Sequence, residues 1–216
     1  MTPPLGLRSG AVAKAIRARR LIAVLRRIEP RERLLALVDE LAADGIRLFE
    51  VTFDAPDAAR DLAAIRERLG AARLVGAGTI RTPDQLHAAL DAGAAFGVSP
   101  VLDPAILDAA LNAGLPFIPG AYSPTEIDAA WRAGATFVKL FPGSSLGPSH
   151  VRDLRGPLPE VETIVTGGVD ASNAVEFLAA GAVAVGVGSA LARMGRMERR
   201  ALVAAAAAGG VAEPVR

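Results

Sequence analysis

The 216-residue chain contains no cysteine and only two histidines, His87 and His150. Without cysteine there can be no disulfide, no thiolate metal site and no cysteine nucleophile, and two separated histidines are too few for a histidine-rich metal site. Lysine is almost as scarce, because the 24 basic residues include only Lys14 and Lys139. We therefore expect no metal centre, and each lysine marks a position where arginine, the usual cation of this chain, does not serve.

An excess of charge of either sign is also lacking, since 24 basic and 23 acidic residues give a formal net charge of +1. This balance argues against a nucleic-acid or acidic-membrane surface, so the expected partner is a small molecule. The longest charge-free apolar stretch, Phe177 to Ala192, is broken by glycines and is shorter than the roughly 18 residues that a membrane span needs. Basic residues flank the apolar run Leu21–Leu25 and no small-residue cleavage site follows it, so we predict no signal peptide and a cytoplasmic location.

Short apolar runs rich in β-branched residues alternate with segments of helical periodicity along the chain. The runs begin roughly 20 to 27 residues apart, which suits one βα unit each. Glycines at positions 45, 93, 114, 134 and 181 stand where helices should end, as expected for glycine C-caps. The eight predicted strands are Leu21–Leu25, Leu48–Thr52, Arg73–Gly76, Ala95–Ser99, Pro116–Pro119, Thr136–Phe141, Glu162–Thr166 and Ala182–Val187.

Eight successive βα units predict an α/β protein with a closed (β/α)8 TIM barrel. We assign residues 1–216 to a single domain, with an extra N-terminal helix over 9–20, the barrel over 21–192, and a C-terminal helix and tail over 193–216. An open, doubly wound sheet is the alternative. The near-equal repeats and the glycine-rich turns after the last two strands favour closure.

Two lone charges interrupt predicted strands that are otherwise apolar, Glu50 in the second and Lys139 in the sixth. A buried ammonium is costly unless it is paired, and desolvation favours the neutral amine, which can attack a carbonyl. A structural ion pair with Glu50 is the alternative, although arginine is the usual choice for a fixed buried pair. We therefore favour Schiff-base chemistry on Lys139, with Glu50 as a proton shuttle.

Other residues at the carboxyl ends of the predicted strands are suited to bind anions. Arg26 closes the first strand, where a guanidinium can hold a carboxylate or phosphate, although a solvated surface arginine is equally compatible with the sequence. Glycine-rich turns follow the seventh strand at Gly167-Gly168 and the eighth at Gly188-Ser189, where such barrels commonly bind phosphate. The segment Gly76-Ala-Gly-Thr79 allows close backbone approach to a ligand and offers a hydroxyl.

In order and spacing these segments resemble the class I aldolases that act on 2-keto-3-deoxy-6-phosphogluconate, members of the KDPG/KHG aldolase family. The resemblance extends from about Leu21 to Leu191. The motifs that carry it are Phe49-Glu-Val-Thr, Gly76-Ala-Gly-Thr-Ile, Val98-Ser-Pro, Ile118-Pro-Gly, Pro124-Thr-Glu, Val138-Lys-Leu-Phe-Pro-Gly, Thr166-Gly-Gly-Val and Gly186-Val-Gly-Ser-Ala.

The resemblance implies a homotrimeric barrel, without metal or other cofactor, that cleaves the sugar acid to pyruvate and glyceraldehyde 3-phosphate in the Entner-Doudoroff pathway. It implies that Lys139 forms the Schiff base and that Glu50 moves the protons. It also implies a pyruvate end lined by Arg26, Thr52, Thr79, Pro100, Phe141 and Thr166, and a phosphate end lined by Gly167, Gly168, Gly188 and Ser189.

The chain departs from many members of the family at Asp54, where they carry an arginine four residues after the glutamate. Carboxylate binding is then expected to rest on Arg26, which resembles the arginine of galactonate-type and some gluconate-type aldolases. Thr166 favours the gluconate epimer, because galactonate-type aldolases tend to have valine there. The alternatives are an aldolase for 2-keto-3-deoxy-6-phosphogalactonate or 4-hydroxy-2-oxoglutarate, a phosphosugar isomerase with Glu50 as base, and a barrel scaffold without turnover.

Overall fold

The computed structural model describes residues 5–208, and nine strands form its central sheet. The strands are β1 (Leu21–Leu25), β2 (Leu48–Thr52), β3 (Leu74–Gly78), β4 (Gly97–Val98), β5 (Phe117–Ile118), β6 (Gly120–Ala121), β7 (Val138–Leu140), β8 (Thr163–Thr166) and β9 (Ala184–Val187). Hydrogen-bonded neighbours follow the order β5-β4-β3-β2-β1-β9-β8-β7-β6. All neighbouring pairs are parallel, as expected where helices connect the strands.

The barrel closes at β5 and β6, which are two halves of one short segment separated by Pro119. Proline has no N–H to give to a ladder, but its carbonyl oxygen accepts the Lys139 N–H at 2.9 Å. The first half pairs with β4 through Gly97 and Phe117, and the second pairs with β7 through Gly120 and Lys139. Because one segment borders both ends of the sheet, the fold is a (β/α)8 barrel and not an open, doubly wound sheet. The fifth predicted strand, Pro116–Pro119, contains β5 only, and β6 follows directly after its predicted end.

The described helices are α1 (Leu5–Ser9), α2 (Ala11–Arg19), α3 (Arg31–Ala43), α4 (Ala58–Leu69), α5 (Pro83–Asp91), α6 (Pro104–Asn112), α7 (Pro124–Arg132), α8 (Gly143–Leu154), α9 (Ala174–Ala180), α10 (Ser189–Arg193) and α11 (Arg196–Ala208). None of these helices has the length and apolar character required to cross a bilayer.

The N-terminal helix expected over residues 9–20 corresponds to α2 (Ala11–Arg19), and a further short helix, α1, precedes it across Gly10, which is extended (φ −66°, ψ 171°). The C-terminal helix is α11, whereas the predicted tail beyond residue 208 lies outside the described residues. The assignment of residues 1–216 to a single domain stays a prediction.

Glycine residues end five helices in the way that the sequence predicts. Residues with a Cβ rarely adopt the left-handed backbone that closes a helix, whereas glycine does so freely. The prediction of glycine C-caps is confirmed by the positive φ of Gly45 (104°), Gly93 (76°), Gly114 (75°), Gly134 (101°) and Gly181 (114°).

Two apolar cores support the barrel. The larger core packs the outward faces of the strands against the surrounding helices. The smaller one fills the barrel with inward side chains, among them Ile22, Leu48, Phe137 and Ile164, and α2 contributes Ile16 to it. Since α2 leads directly into β1, it closes the amino end of the barrel. The carboxyl end is left for a site, as in other barrels of this architecture.

Candidate active site

The two-residue period of the strands carries polar side chains into the barrel directly above its apolar layer. Leu48 and Phe137 lie in the inner core, and the next inward positions on the same strands are Glu50 and Lys139. Ile164 is likewise followed two residues later by Thr166. The site therefore follows from the strand period that builds the core beneath it.

Lys139 is buried, with only 4% of its surface exposed. Its Nζ lies 5.0 Å from the centre of the Phe141 ring, and it forms no ion pair or hydrogen bond with any residue that the structure describes. Burial lowers the pKa of the Lys139 ammonium, an effect that the charge of Glu50 partly opposes and that of Arg26 reinforces. The amine can thus be neutral, and nucleophilic, at a lower pH than an exposed lysine.

Glu50 is even less exposed, at 1%, and its Oε1 atom has no hydrogen-bond partner among the residues that the structure describes. Burial raises the pKa of the Glu50 carboxyl, although Lys139 and Arg26 both act in the opposite direction. A carboxyl group with a raised pKa and an unpartnered oxygen is able to take up and release a proton.

Gly78 makes the position of Glu50 possible. A Cβ at residue 78 would lie 2.0 Å from Glu50 Oε1, so every larger residue there would displace the carboxyl group. The sequence marked the segment from Gly76 to Thr79 only as a place of close approach to a ligand. Gly76 has a different partner, since a Cβ there would lie 2.4 Å from the Phe96 ring. In the register of β2 against β3, Glu50 lies opposite Gly76 and Thr52 opposite Gly78, so the Glu50 carboxyl group approaches the residue two positions beyond its partner. No local pattern in the sequence indicates this contact between strands.

A cavity of about 800 Å³ opens at this end of the barrel. Phe141 lines it together with Lys139. Thr166 also lines it, and its buried Oγ1 atom has no hydrogen-bond partner in the described part of the chain. Gly186 provides the space for Thr166, because a Cβ at 186 would lie 2.7 Å from Thr166 Cγ2. Most of the predicted site residues line this one cavity: Arg26, Lys139, Phe141, Thr166, Gly167, Gly168, Gly188 and Ser189.

The two glycine turns lie on the same side of this cavity. Gly167 and Gly168 both have left-handed backbone, with φ of 85° and 75°, and a Cβ at 168 would lie 2.5 Å from Ser144 Cβ. Within the described part of the chain, the backbone N–H groups of Gly168 and Ser189 donate no hydrogen bond. Unpaired N–H groups that face a cavity are suited to bind the oxygens of an anion.

Arg26 links the cavity to the end of β3. Its Nη2 donates to Thr79 Oγ1 at 3.3 Å, and its charge contributes to the pKa of both Glu50 and Lys139. The Arg26 guanidinium is therefore close enough to both reactive groups to affect them. That it binds the substrate carboxylate stays a prediction.

Four predicted residues lie outside the lining of this cavity: Glu50, Thr52, Thr79 and Pro100. Glu50 is buried next to Lys139, and Thr79 contacts the cavity through Arg26. Thr52 is buried, donates from Oγ1 to the Leu25 carbonyl at 3.4 Å and lines a neighbouring cavity of about 500 Å³. Pro100 is half-buried against β6, where a Cβ at Gly120 would lie 2.2 Å from the Pro100 carbonyl oxygen. Gly120 pairs with Lys139, so Pro100 supports the segment next to the lysine.

The described residues contain no cluster of three or more His, Asp or Glu side chains suited to hold a metal ion. What the site does contain is a buried amine, a buried carboxyl group and unpaired N–H groups at the carboxyl end of a (β/α)8 barrel. These features define the class of barrel enzymes that act on small anionic substrates.

Comparisons with known proteins identify the family. The family model for KDPG and KHG aldolase matches residues 12–206, so the chain belongs to this family. A probable 2-dehydro-3-deoxy-6-phosphogalactonate aldolase of Rhizobium meliloti is 36% identical over 178 residues, which cover 82% of this chain and 84% of that protein. A 2-dehydro-3-deoxy-phosphogluconate aldolase of Treponema pallidum is 39% identical over 153 residues, covering 70% and 72%.

A solved structure supports both the fold and the family. The KDPG aldolase of Legionella pneumophila, with pyruvate captured as a covalent carbinolamine intermediate, superimposes with a TM-score of 0.78 at 28% identity. The superposition covers 94% of this chain and 99% of that one. Aldolases are carbon-carbon lyases, and the prediction of that enzyme class is confirmed.

Proposed function

We propose that the protein is a Schiff-base aldolase that cleaves a 2-keto-3-deoxy-6-phospho sugar acid to pyruvate and glyceraldehyde 3-phosphate. The observation that carries this proposal is the Lys139 amine, which is buried, unpaired and depressed in pKa beside a buried carboxyl group. The covalent carbinolamine of the Legionella pneumophila relative supports the same chemistry here. No metal is needed, because an imine itself provides the electron sink.

The proposed reaction begins when the neutral Lys139 amine adds to C2 of the keto acid. A proton passes from nitrogen to oxygen to give the neutral carbinolamine, and loss of water together with uptake of one proton from solvent leaves a protonated imine. Glu50 then takes the C4 hydroxyl proton, the C3–C4 bond breaks, and its electron pair moves into the imine to form an enamine. Glyceraldehyde 3-phosphate departs at this stage. Return of the proton from Glu50 to C3 and hydrolysis of the imine release pyruvate and the free amine.

Substrate orientation follows from the two ends of the cavity. Arg26, held by Thr79, is suited to bind the carboxylate next to C2, and Phe141 packs beside the lysine. The unpaired N–H groups of Gly168 and Ser189 are suited to the phosphate at the other end of the substrate.

The sequence resemblance extends the proposal to assembly and location. We propose a homotrimer that works in the cytoplasm and serves the Entner-Doudoroff pathway. Light scattering on the purified protein tests the assembly, since a trimer of 22.2 kDa chains has three times the mass of the chain.

For the configuration at C4, we propose a preference for the gluconate epimer. The buried and unpartnered Thr166 hydroxyl is available to the substrate, and a polar group left unpaired by the wrong epimer costs about 1–3 kcal/mol. The galactonate epimer is the second candidate, since the relative that is 36% identical carries that name and Arg26 takes the place of the arginine missing at Asp54. Comparison of kcat/KM for both epimers, in the wild type and in Thr166→Val, separates them. An unchanged ratio in Thr166→Val would remove the basis for the gluconate assignment.

Trapping with pyruvate and borohydride tests the central claim. We expect reduction of the imine to add a stable adduct to Lys139, located by peptide mass mapping, with none on the exposed Lys14. Adduct on Lys14 alone, or none, would instead favour the isomerase or the scaffold without turnover.

A further inference from the structure

Two consecutive arginines follow β1, and the structure separates their side chains. Arg26 reaches Thr79 at the Lys139 cavity, with Nη2 3.3 Å from Oγ1. Arg27 turns to the loop after β2, where its Nε lies 3.2 Å from Asp54 Oδ2. The separation occurs at a left-handed residue, because Arg27 has φ of 48°. A residue with a Cβ adopts this backbone only at an energetic cost.

We propose that Asp54 is a positioning residue for substrate binding: its ion pair with Arg27 holds the left-handed turn that directs Arg26 into the Lys139 cavity. The proposal rests on the proposed function, in which Arg26 binds the carboxylate of the keto acid.

Within residues 5–208, Arg27 is the one side chain that Asp54 binds. Its Oδ1 is buried and has no hydrogen-bond partner, and the ion pair with Arg27 is the interaction that the structure gives to its other oxygen. Asp54 also caps no helix, since α4 begins after Asp57. A carboxylate that is four-fifths buried and binds only the arginine is therefore placed to fix the conformation of that arginine.

The pair also joins the two loops that carry the site. β1 and β2 are neighbours with Val24 opposite Glu50, so the residues that follow them meet at the carboxyl end of the barrel. Arg26 belongs to the first of these loops, and Asp54 follows the strand that carries Glu50. By neutralising Arg27, Asp54 also leaves Arg26 as the cation directed to the reactive groups.

The test measures the pyruvate concentration that gives half-maximal trapping with borohydride. We expect Asp54→Ala to raise this concentration about tenfold, because a displaced guanidinium binds the carboxylate less well. The maximal extent of trapping and kcat should change by less than about twofold, since Lys139 and Glu50 are untouched. Asp54→Glu, which keeps the charge, should recover most of the affinity.

A second pair of variants isolates the turn itself. Glycine adopts left-handed backbone freely, so Arg27→Gly with Asp54→Ala should trap pyruvate better than Arg27→Ala with Asp54→Ala. The matched control is Asp57→Ala, which breaks the exposed Asp57–Arg60 pair of 3.3 Å in the same loop and should change nothing.

The outcomes separate this inference from the proposed function. A wild type that traps no pyruvate overturns both. A wild type that traps pyruvate, together with an Asp54→Ala variant of unchanged affinity, overturns the inference alone. Equal trapping by the two double variants, Arg27→Gly with Asp54→Ala and Arg27→Ala with Asp54→Ala, would also overturn the inference. Asp54 would then not act by maintaining the left-handed turn.

Discussion

The two ends of the barrel differ in whether their buried charged groups have hydrogen-bond partners. At the carboxyl end, Glu50 and Lys139 are nearly inaccessible, and the Lys139 Nζ and Glu50 Oε1 atoms have no hydrogen-bond partners within the described chain. At the amino end, Arg20 is 5% exposed and donates to the carbonyl oxygens of Leu178, Ala182 and Val183 at 3.1–3.4 Å. Burial is similar at both ends, and the difference lies in whether the polar atoms are satisfied.

Asp44 shows how completely the amino end satisfies its charges. Its side chain is 1% exposed and forms ion pairs with Arg199 at 2.7 Å, Arg196 at 3.1 Å and Arg200 at 3.3 Å. These contacts fasten α11 to the end of α3. Burial alone would raise the pKa of the Asp44 carboxyl, but the hydrogen bonds from Arg199 and Arg196 outweigh it and the pKa is lowered. The group therefore stabilises the fold above its ordinary pKa, and this contribution is lost as pH falls through the lowered value.

The contrast teaches which buried charges serve the fold and which are free for chemistry. A buried ion that is fully paired contributes to one specific structure, whereas an unpaired one lowers stability and keeps its reactivity. Substitutions at the two ends should therefore have opposite consequences, with activity lost at one end and stability lost at the other.

The largest effect is expected for Lys139→Arg. A guanidinium cannot form the imine, so trapping with pyruvate should vanish and cleavage should fall by at least about 10³-fold. Lys139→Met provides a variant without a new buried charge, and Lys14→Arg is the matched control on α2, where activity should stay at the wild-type value. Steady-state assays of cleavage decide the matter, and turnover of Lys139→Met within tenfold of the wild type would contradict the role of the amine.

Glu50→Gln should have the next largest effect. The amide keeps the shape but cannot move a proton, so turnover should drop by about 10²–10⁴-fold. Trapping of pyruvate should fall far less than cleavage, because imine formation on pyruvate does not require removal of a C4 hydroxyl proton. EDTA should leave the wild-type rate unchanged. Full aldol activity in Glu50→Gln, or its loss with the chelator, would contradict the assigned roles.

At the other end, Asp44→Ala should lower the free energy of unfolding by about 3 kcal/mol, because the buried Arg199 would lose its closer carboxylate and keep only the more exposed Glu40 as an ion-pair partner among the described residues. Urea unfolding measures this change, which should diminish in acid as the wild-type carboxyl is protonated. The remaining folded protein should keep its kcat/KM. Asp39→Ala is the control, since the Asp39–Arg68 pair is about half exposed on both sides and its loss should cost less than about 1 kcal/mol. If Asp44→Ala and Asp39→Ala lowered the free energy of unfolding equally, the buried ion pairs of Asp44 would not have the special importance for stability that we assign to them.

Much of this contrast could be predicted from the sequence, because it depends on local periodicity. Alternation within apolar runs placed Glu50 and Lys139 inside the barrel, and glycines at regular intervals marked the helix ends. The second half of the fifth strand, β6, was missed, since the predicted strand ends at Pro119 and nothing in the sequence indicates that the next two residues pair with a different neighbour. The contact of Gly78 with the Glu50 carboxyl group and the Arg27–Asp54 pair were missed for a related reason. Both depend on the register between strands or on loops distant in sequence.

The smallest expected effect is a gain in stability at the carboxyl end. Replacement of both charges, in Lys139→Met with Glu50→Gln, should raise the free energy of unfolding by about 1–3 kcal/mol, because neither polar group is compensated in the folded state. The gain should be largest near neutral pH. The raised pKa of Glu50 penalises folding only while the unfolded chain is ionised, so that part of the gain should disappear as pH falls below the ordinary value of 4.5. The lowered pKa of Lys139 penalises folding below its ordinary value of 10.5, so the other part should disappear above that pH. Unfolding curves measured from acid to alkaline pH test both the loss of the Glu50 contribution in acid and the loss of the Lys139 contribution in alkali. A double variant less stable than the wild type at neutral pH would mean that the two groups stabilise the fold.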